Sequence, residues 1–142
     1  TTQVLRGKYD IDDIICDELK NADPIIAKEI QEKVSALSQI RKTKGGKKSY
    51  DIMVGQYFND LTLSLMDTYR LMKEDTKYLL ILGDSAPYGI HIPTETYRGK
   101  IGVGLGFKSF KVSELSRRGQ KWSGNPQRHH VPLRESILIL AK

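Results

Sequence analysis

The chain has a single cysteine, Cys16, among its 142 residues, so no internal disulfide can form, and such sparing use of cysteine fits a reducing compartment. Long apolar runs are missing too. The longest, Tyr78 to Leu82 and Ile137 to Ala141, fall far short of the roughly 20 residues a membrane-spanning helix needs. No charged-then-apolar leader opens the chain, and neither an internal repeat nor a low-complexity segment occurs. These absences set the expectation of a cytoplasmic protein with no membrane partner.

What is present is ordinary in bulk and uneven in detail. A hydrophobic fraction of 39% with 28% charged residues suits a folded domain with a real core. The net charge of +6 hides an asymmetry: residues 1–40 hold five Lys or Arg against eight Asp or Glu, leaving 18 against nine for the remainder. Two basic clusters concentrate that excess. Arg41-Lys42-Thr43-Lys44-Gly45-Gly46-Lys47-Lys48 places five cations in eight residues, and the stretch from Lys108 to Arg134 carries seven cations against Glu114 alone. Basic loops with glycine and an aromatic, here Trp122, suit a polyphosphate backbone, which they can approach closely and bind by releasing counterions. A solvated basic surface is the competing reading.

Hydrophobic spacing gives the order of elements. Asp10 opens a short first helix running through Ile14, Ile15 and Leu19, its carboxylate available to first-turn amides. Asn21-Ala22-Asp23-Pro24 starts a second, with Pro24 at a tolerated first-turn position and Ile25, Ile26, Ile30, Val34, Leu37 and Ile40 recurring at helical spacing. After the Lys-Gly-Gly-Lys loop, Tyr50, Met53, Val54, Tyr57, Phe58, Leu61, Leu65, Met66, Tyr69 and Met72 mark a long helix whose apolar stripe is wide enough to be deeply packed. Lys77 to Gly83 then forms an unbroken apolar strand, which predicts burial on both faces inside a parallel sheet. Pro93 begins a short helix that Gly106 ends. Phe107 to Leu115 and Val131 to Leu140 are strands on either side of a basic loop. The sum is an α/β fold with N-terminal helices, divided into a helical segment 1–43 and a unit 44–142.

The exit of the apolar strand, Gly83-Asp84-Ser85-Ala86-Pro87-Tyr88-Gly89, is the place to seek chemistry, because ligands of open α/β sheets sit outside the carboxyl ends of strands. Other candidate motifs fail on physical grounds. Gly102-Val103-Gly104-Leu105-Gly106 follows a helix and precedes a strand, so it cannot offer a helix N-terminus to phosphates and reads as close packing plus a stop signal. His91, His129 and His130 lack the cysteines or carboxylates that complete a metal site, and Asp10-Ile11-Asp12-Asp13 is too short for a calcium loop. No metal is expected.

Taken in order, Lys44-Gly45-Gly46-Lys47-Lys48-Ser49-Tyr50, Tyr57-Phe58-Asn59-Asp60, Gly83-Asp84-Ser85-Ala86-Pro87-Tyr88-Gly89, Gly106-Phe107 and Pro132-Leu133-Arg134-Glu135-Ser136 resemble the C-terminal portion of site-specific DNA amino-methyltransferases, the modification side of bacterial restriction systems. The likeness runs from about Lys44 to the end. Such enzymes carry a Rossmann-like seven-stranded sheet of order 3-2-1-4-5-7-6 and transfer a methyl group from S-adenosylmethionine to the exocyclic amino group of adenine or cytosine. By that resemblance, the strands of this chain are five, seven and six. The family's glycine-containing cofactor loop and its Pro-Pro-Tyr motif are both absent; Asp23-Pro24-Ile25-Ile26 is the nearest approach to the latter, and it opens a helix instead of following a strand.

The resemblance implies a division of roles. Asp84, Ser85 and Tyr88 support a pocket for a base drawn out of the stack, while the groups that hold the amino nitrogen belong to the absent motif. Lys44, Lys47 and Lys48, with Arg117, Arg118, Lys121, Trp122, Arg128, His130 and Arg134 on the final hairpin, face DNA phosphates, which position without specifying sequence. The chain alone is expected to be inactive and not to bind S-adenosylmethionine. Its strand at 78–82 should have an open edge that is paired by the missing N-terminal half or by a second copy. Two alternatives stand beside this reading: a non-catalytic nucleic-acid-binding α/β module, and an unrelated small α/β binding protein.

Overall fold

The computed structural model describes residues 7–45, 48–118 and 131–142. The chain forms two compact units, Thr1–Ser64 and Leu65–Lys142, divided within a long helix, whereas the sequence reading places a boundary at 43/44.

In the first unit, α1 (Asp17–Ala22) leads into α2 (Pro24–Thr43) and the first part of α3 (Tyr50–Leu71). The start of α2 follows from its sequence: the Asp23 carboxylate accepts from the Ile26 amide at 3.0 Å, and Pro24 has no amide to leave unpaired. The stripe Ile26, Ile30, Val34 and Leu37 is buried, as are Leu19, Phe58 and Leu61.

The single first helix expected from Asp10 to Leu19 is broken. Asp10 caps only a 3-10 turn, Ile11–Asp13, through a 3.0 Å bond from the Asp12 amide. Ile14 keeps a helical backbone, at φ −84° and ψ −20°, but the chain bends at Ile15 before α1 begins. Side chains remote in sequence replace the helical bonds there. The Gln31 amide accepts from Ile14 N and donates to Ile11 O, and the Asn59 amide accepts from Cys16 N and donates to Ile14 O. Both isoleucines are thereby buried, with Ile14 lying against Gly55, where an added Cβ would come within 2.7 Å of Ile14 Cγ2.

The second unit is a three-stranded sheet with one covering helix. β1 (Lys77–Gly83), α4 (Thr94–Leu105), β2 (Ser109–Arg118) and β3 (Leu133–Ala141) follow in chain order, and the sheet order is β1-β3-β2. β3 runs antiparallel to both neighbours, so β1 and β2 point the same way with the last strand between them. Leu115 is the extra residue of a bulge opposite Ser136 and Glu135.

Register separates the two faces. Tyr78, Leu80 and Leu82 align with Leu140, Leu138 and Ser136, and across β3 with Phe110, Val112 and Glu114. α4 packs on this face, and its glycines set the distance. A Cβ at Gly99 would fall 2.3 Å from Phe110 Cδ2, and one at Gly102 would fall 2.7 Å from Leu140 Cδ2. Leu138 and Leu140 are fully buried beneath the helix, each contributing about 1.5–3 kcal/mol of burial. Gly106, at φ 121°, ends α4 in a conformation that disfavours any side chain.

The opposite face corrects the expectation of a strand buried on both sides in a parallel sheet. Leu79 and Ile81 are 59% and 69% exposed, and their register partners Ile139 and Ile137 are only half-buried. β1 is apolar on both faces, but α4 covers one of them. Its outer edge has no hydrogen-bonded strand among the described residues. Lys142 closes the unit by donating from Nζ to the Tyr69 and Met72 carbonyls at 2.7 Å each, satisfying acceptors at the end of α3.

Candidate functional site

Polar groups gather where β1 ends, as the apolar run followed by Gly-Asp-Ser suggests. The Asp84 amide donates to the Arg134 carbonyl at 3.2 Å, extending the β1–β3 ladder by one residue. Its carboxylate then takes the Arg134 amide on Oδ1 at 2.7 Å. The other oxygen, Oδ2, lies 2.7 Å from His91 Nε2. Asp84 locks the start of β3 to the exit of β1 and holds an imidazole, with its side chain only 1% exposed.

The loop between Asp84 and α4 is closed at its base by a pair of backbone bonds between Ser85 and Ile92, of 2.7 and 3.3 Å. Within it, Pro87–Gly89 form a 3-10 turn. Tyr88 sits at φ 50°, ψ 27°, in the left-handed region. A bulky non-glycine residue there costs of order 1–3 kcal/mol, and such strain gathers at ligand-binding turns.

A second pair lies beside the first. Glu95, in the first turn of α4, is fully buried, and its Oε1 accepts from Arg134 Nε at 2.8 Å and Nη2 at 2.6 Å. A carboxylate in that turn also suits the positive end of the helix. The contact with Glu95 raises the Arg134 guanidinium above its already high ordinary value, so it stays charged. Glu95 Oε2 and Ser136 Oγ are buried without a hydrogen-bond partner in the structure. Arg134 thus serves two acids at once, through its backbone amide to Asp84 and its side chain to Glu95.

Asp84, Ser85 and Tyr88 do share one loop, and Arg134 joins them from β3. Arg134, expected among the DNA-facing cations, has its guanidinium directed to Glu95 and remains 40% exposed. Arg117 is exposed on β2 and bonds Glu114 Oε1 at 2.9 Å. Arg118 ends β2. Lys44 caps α2 and Lys48 lies near the Tyr50 ring, both exposed in the first unit. Lys47, Lys121, Trp122, Arg128, His129 and His130 lie outside the described residues.

Sequence reasoning weighed His91 only as a metal ligand and missed Glu95 as a site residue. The available signal was spacing: a histidine and an acid follow Asp84 across a glycine- and proline-bearing loop that must fold back on the strand end. Among the described residues, no three His, Cys, Asp or Glu side chains converge as a metal site requires. The strand-to-helix turn presents the buried carboxylates of Asp84 and Glu95, and the glycine run Gly102–Gly106 lies at the C-terminal end of α4. No helix among the described residues is long and apolar enough to cross a membrane. Compared with known protein families, curated proteins and solved structures, the chain gave no match.

Proposed function

We propose that this chain is the C-terminal portion of a DNA amino-methyltransferase, acting on the exocyclic amino group of adenine or cytosine once the half that carries the cofactor loop and the Pro-Pro-Tyr motif is supplied. The observation that carries the reading is the sheet order β1-β3-β2, with a final hairpin and a connecting helix. That order is the one expected if the strands correspond to five, seven and six of such enzymes, and β1 would then lie at the edge where strand four pairs. The uncovered Leu79 and Ile81 supply a second support, since the apolar pattern of β1 exceeds what α4 can bury.

In this reading Asp84, Ser85 and Tyr88 shape the floor of a base pocket over the strand end, and the exposed cations bind phosphates. The test is partition of function between two polypeptides. The chain alone should not retain labelled S-adenosylmethionine, whereas its complex with a polypeptide that carries the cofactor loop and the Pro-Pro-Tyr motif should move the labelled methyl group into DNA. Retention of the cofactor by the chain alone, or a complex that labels no DNA, overturns the proposal.

A further inference from the structure

We infer that the outer face of the sheet is a self-association surface, on which a second copy of this chain packs sheet against sheet with its strands antiparallel to the first. The inference is independent of the methyltransferase reading, under which the missing half would displace the second copy from this face.

Side chains alternate along a strand, so the residues that α4 leaves uncovered form rows across the three strands. Leu79, Ile139 and Lys111 make one row, and Ile81, Ile137 and Ser113 make the next. Lys77 lies one row beyond the first. Glu135 lies one row beyond the second, beside Gly83, which has no side chain to screen it. The middle of the face is therefore apolar, with Leu79 and Ile81 largely exposed, while cations stand at one end and a carboxylate at the other. Lys77 and Lys111 are exposed and Glu135 is half-buried, and none of the three forms an ion pair among the described residues.

That polarity selects both the partner and its orientation. Two identical faces meet about a two-fold axis lying in the interface, which runs either along the strands or across them. An axis along the strands sets each cationic end over the cationic end of the second copy. An axis across the strands brings Ile81 to Leu79 of the second copy, Ile137 to Ile139 of the second copy, and Glu135 between the two lysines of the opposite face. Only the second arrangement pairs every charge, and like charges brought together are strongly unfavourable. It also leaves the edge of β1 open. Three strands about 4.8 Å apart and a seven-residue β1 rising about 3.3 Å per residue give a face of roughly 300 Å² in plan. Two such faces bury less than the roughly 1,200 Å² of a standard stable interface, so the dimer belongs to the weak, transient class, with a Kd between about 10 µM and 1 mM.

Sedimentation equilibrium of the purified chain up to about 1 mM should show it passing from monomer to dimer. Ile81→Ser, at a side chain exposed in the single chain, should remove the dimer. Glu135→Lys, and separately Lys77→Glu combined with Lys111→Glu, should each weaken association at least about 10-fold. An equimolar mixture of those two variants should recover it as a heterodimer to within about 3-fold of the original, which also shows that both variants are folded. A chain that stays monomeric throughout overturns the proposal and gives the face to a different polypeptide. A dimer that survives Ile81→Ser, charge reversals without effect, or variants that do not recover on mixing overturn the proposed packing. Protection of the outward amides of β1 on association marks pairing through the strand edge and overturns it as well. None of these outcomes bears on the transfer of a methyl group to DNA, so the two readings fail separately.

Discussion

Replacing Arg134 by methionine removes the guanidinium from a carboxylate that has no other partner. Glu95 is fully buried, with Oε1 bonded only to Arg134 among the described residues and Oε2 bonded to nothing. In the variant the buried carboxylate loses its counter-charge, and breaking a buried pair in this way costs about 3–5 kcal/mol. Glu95→Gln should be milder, about 1–2 kcal/mol, since the half-exposed guanidinium can turn to water and the new amide loses only its own solvation. Urea unfolding of the three proteins at pH 7 measures both losses. A loss below about 1 kcal/mol for Arg134→Met, or equal costs for the two variants, would refute the claim that Arg134 compensates the buried Glu95 carboxylate. Arg134, raised by Glu95, loses its proton only far above neutrality, so its contribution is complete at pH 7 and declines only at extreme alkaline pH.

Three further outcomes follow from packing and burial. Gly99→Ala should destabilise the second unit by about 1–3 kcal/mol, because the new methyl would meet Phe110 at 2.3 Å; Phe110→Ala in the same chain should relieve the steric part in thermal melts. Asn59→Ala should cost about 2–4 kcal/mol, since it strands Cys16 N and Ile14 O together, and amide exchange at Cys16 should accelerate. Burial raises the Cys16 thiol above its ordinary value, so folding favours the neutral form and stability should fall as pH rises through about 8.5 and beyond. A Cys16→Ala variant should lack that component of the urea-midpoint profile, and a disulfide reagent at pH 8 should react with Cys16 more slowly than with a free thiol.

Where local chemistry decides the conformation, the sequence was enough. Asp23-Pro24 announced the start of α2, Gly106 announced the end of α4, and the apolar run bounded by Lys77 and Gly83 marked β1 at both ends. Where a distant partner decides, it was not. The helix break at Ile14–Cys16 depends on amides from Gln31 and Asn59, which no local pattern links to it. The same holds at the site. Asp84 stood out because it ends a strand, but Glu95 reads as an ordinary first-turn acid until Arg134 arrives from β3, 39 residues on. The apolar content of β1 was legible, yet whether each face is covered depends on which neighbours are present. Exposure of Leu79 and Ile81 shows that one is not supplied by α4.

Hydrogen exchange along β1, measured on the chain at a concentration where scattering reports its mass, tests the half-sheet account most directly. Alternate amides of Lys77–Gly83, those turned away from β3, should exchange rapidly in the isolated chain and become protected when a polypeptide carrying the proposed missing half joins it. Uniform protection of every β1 amide in a monomer would contradict it.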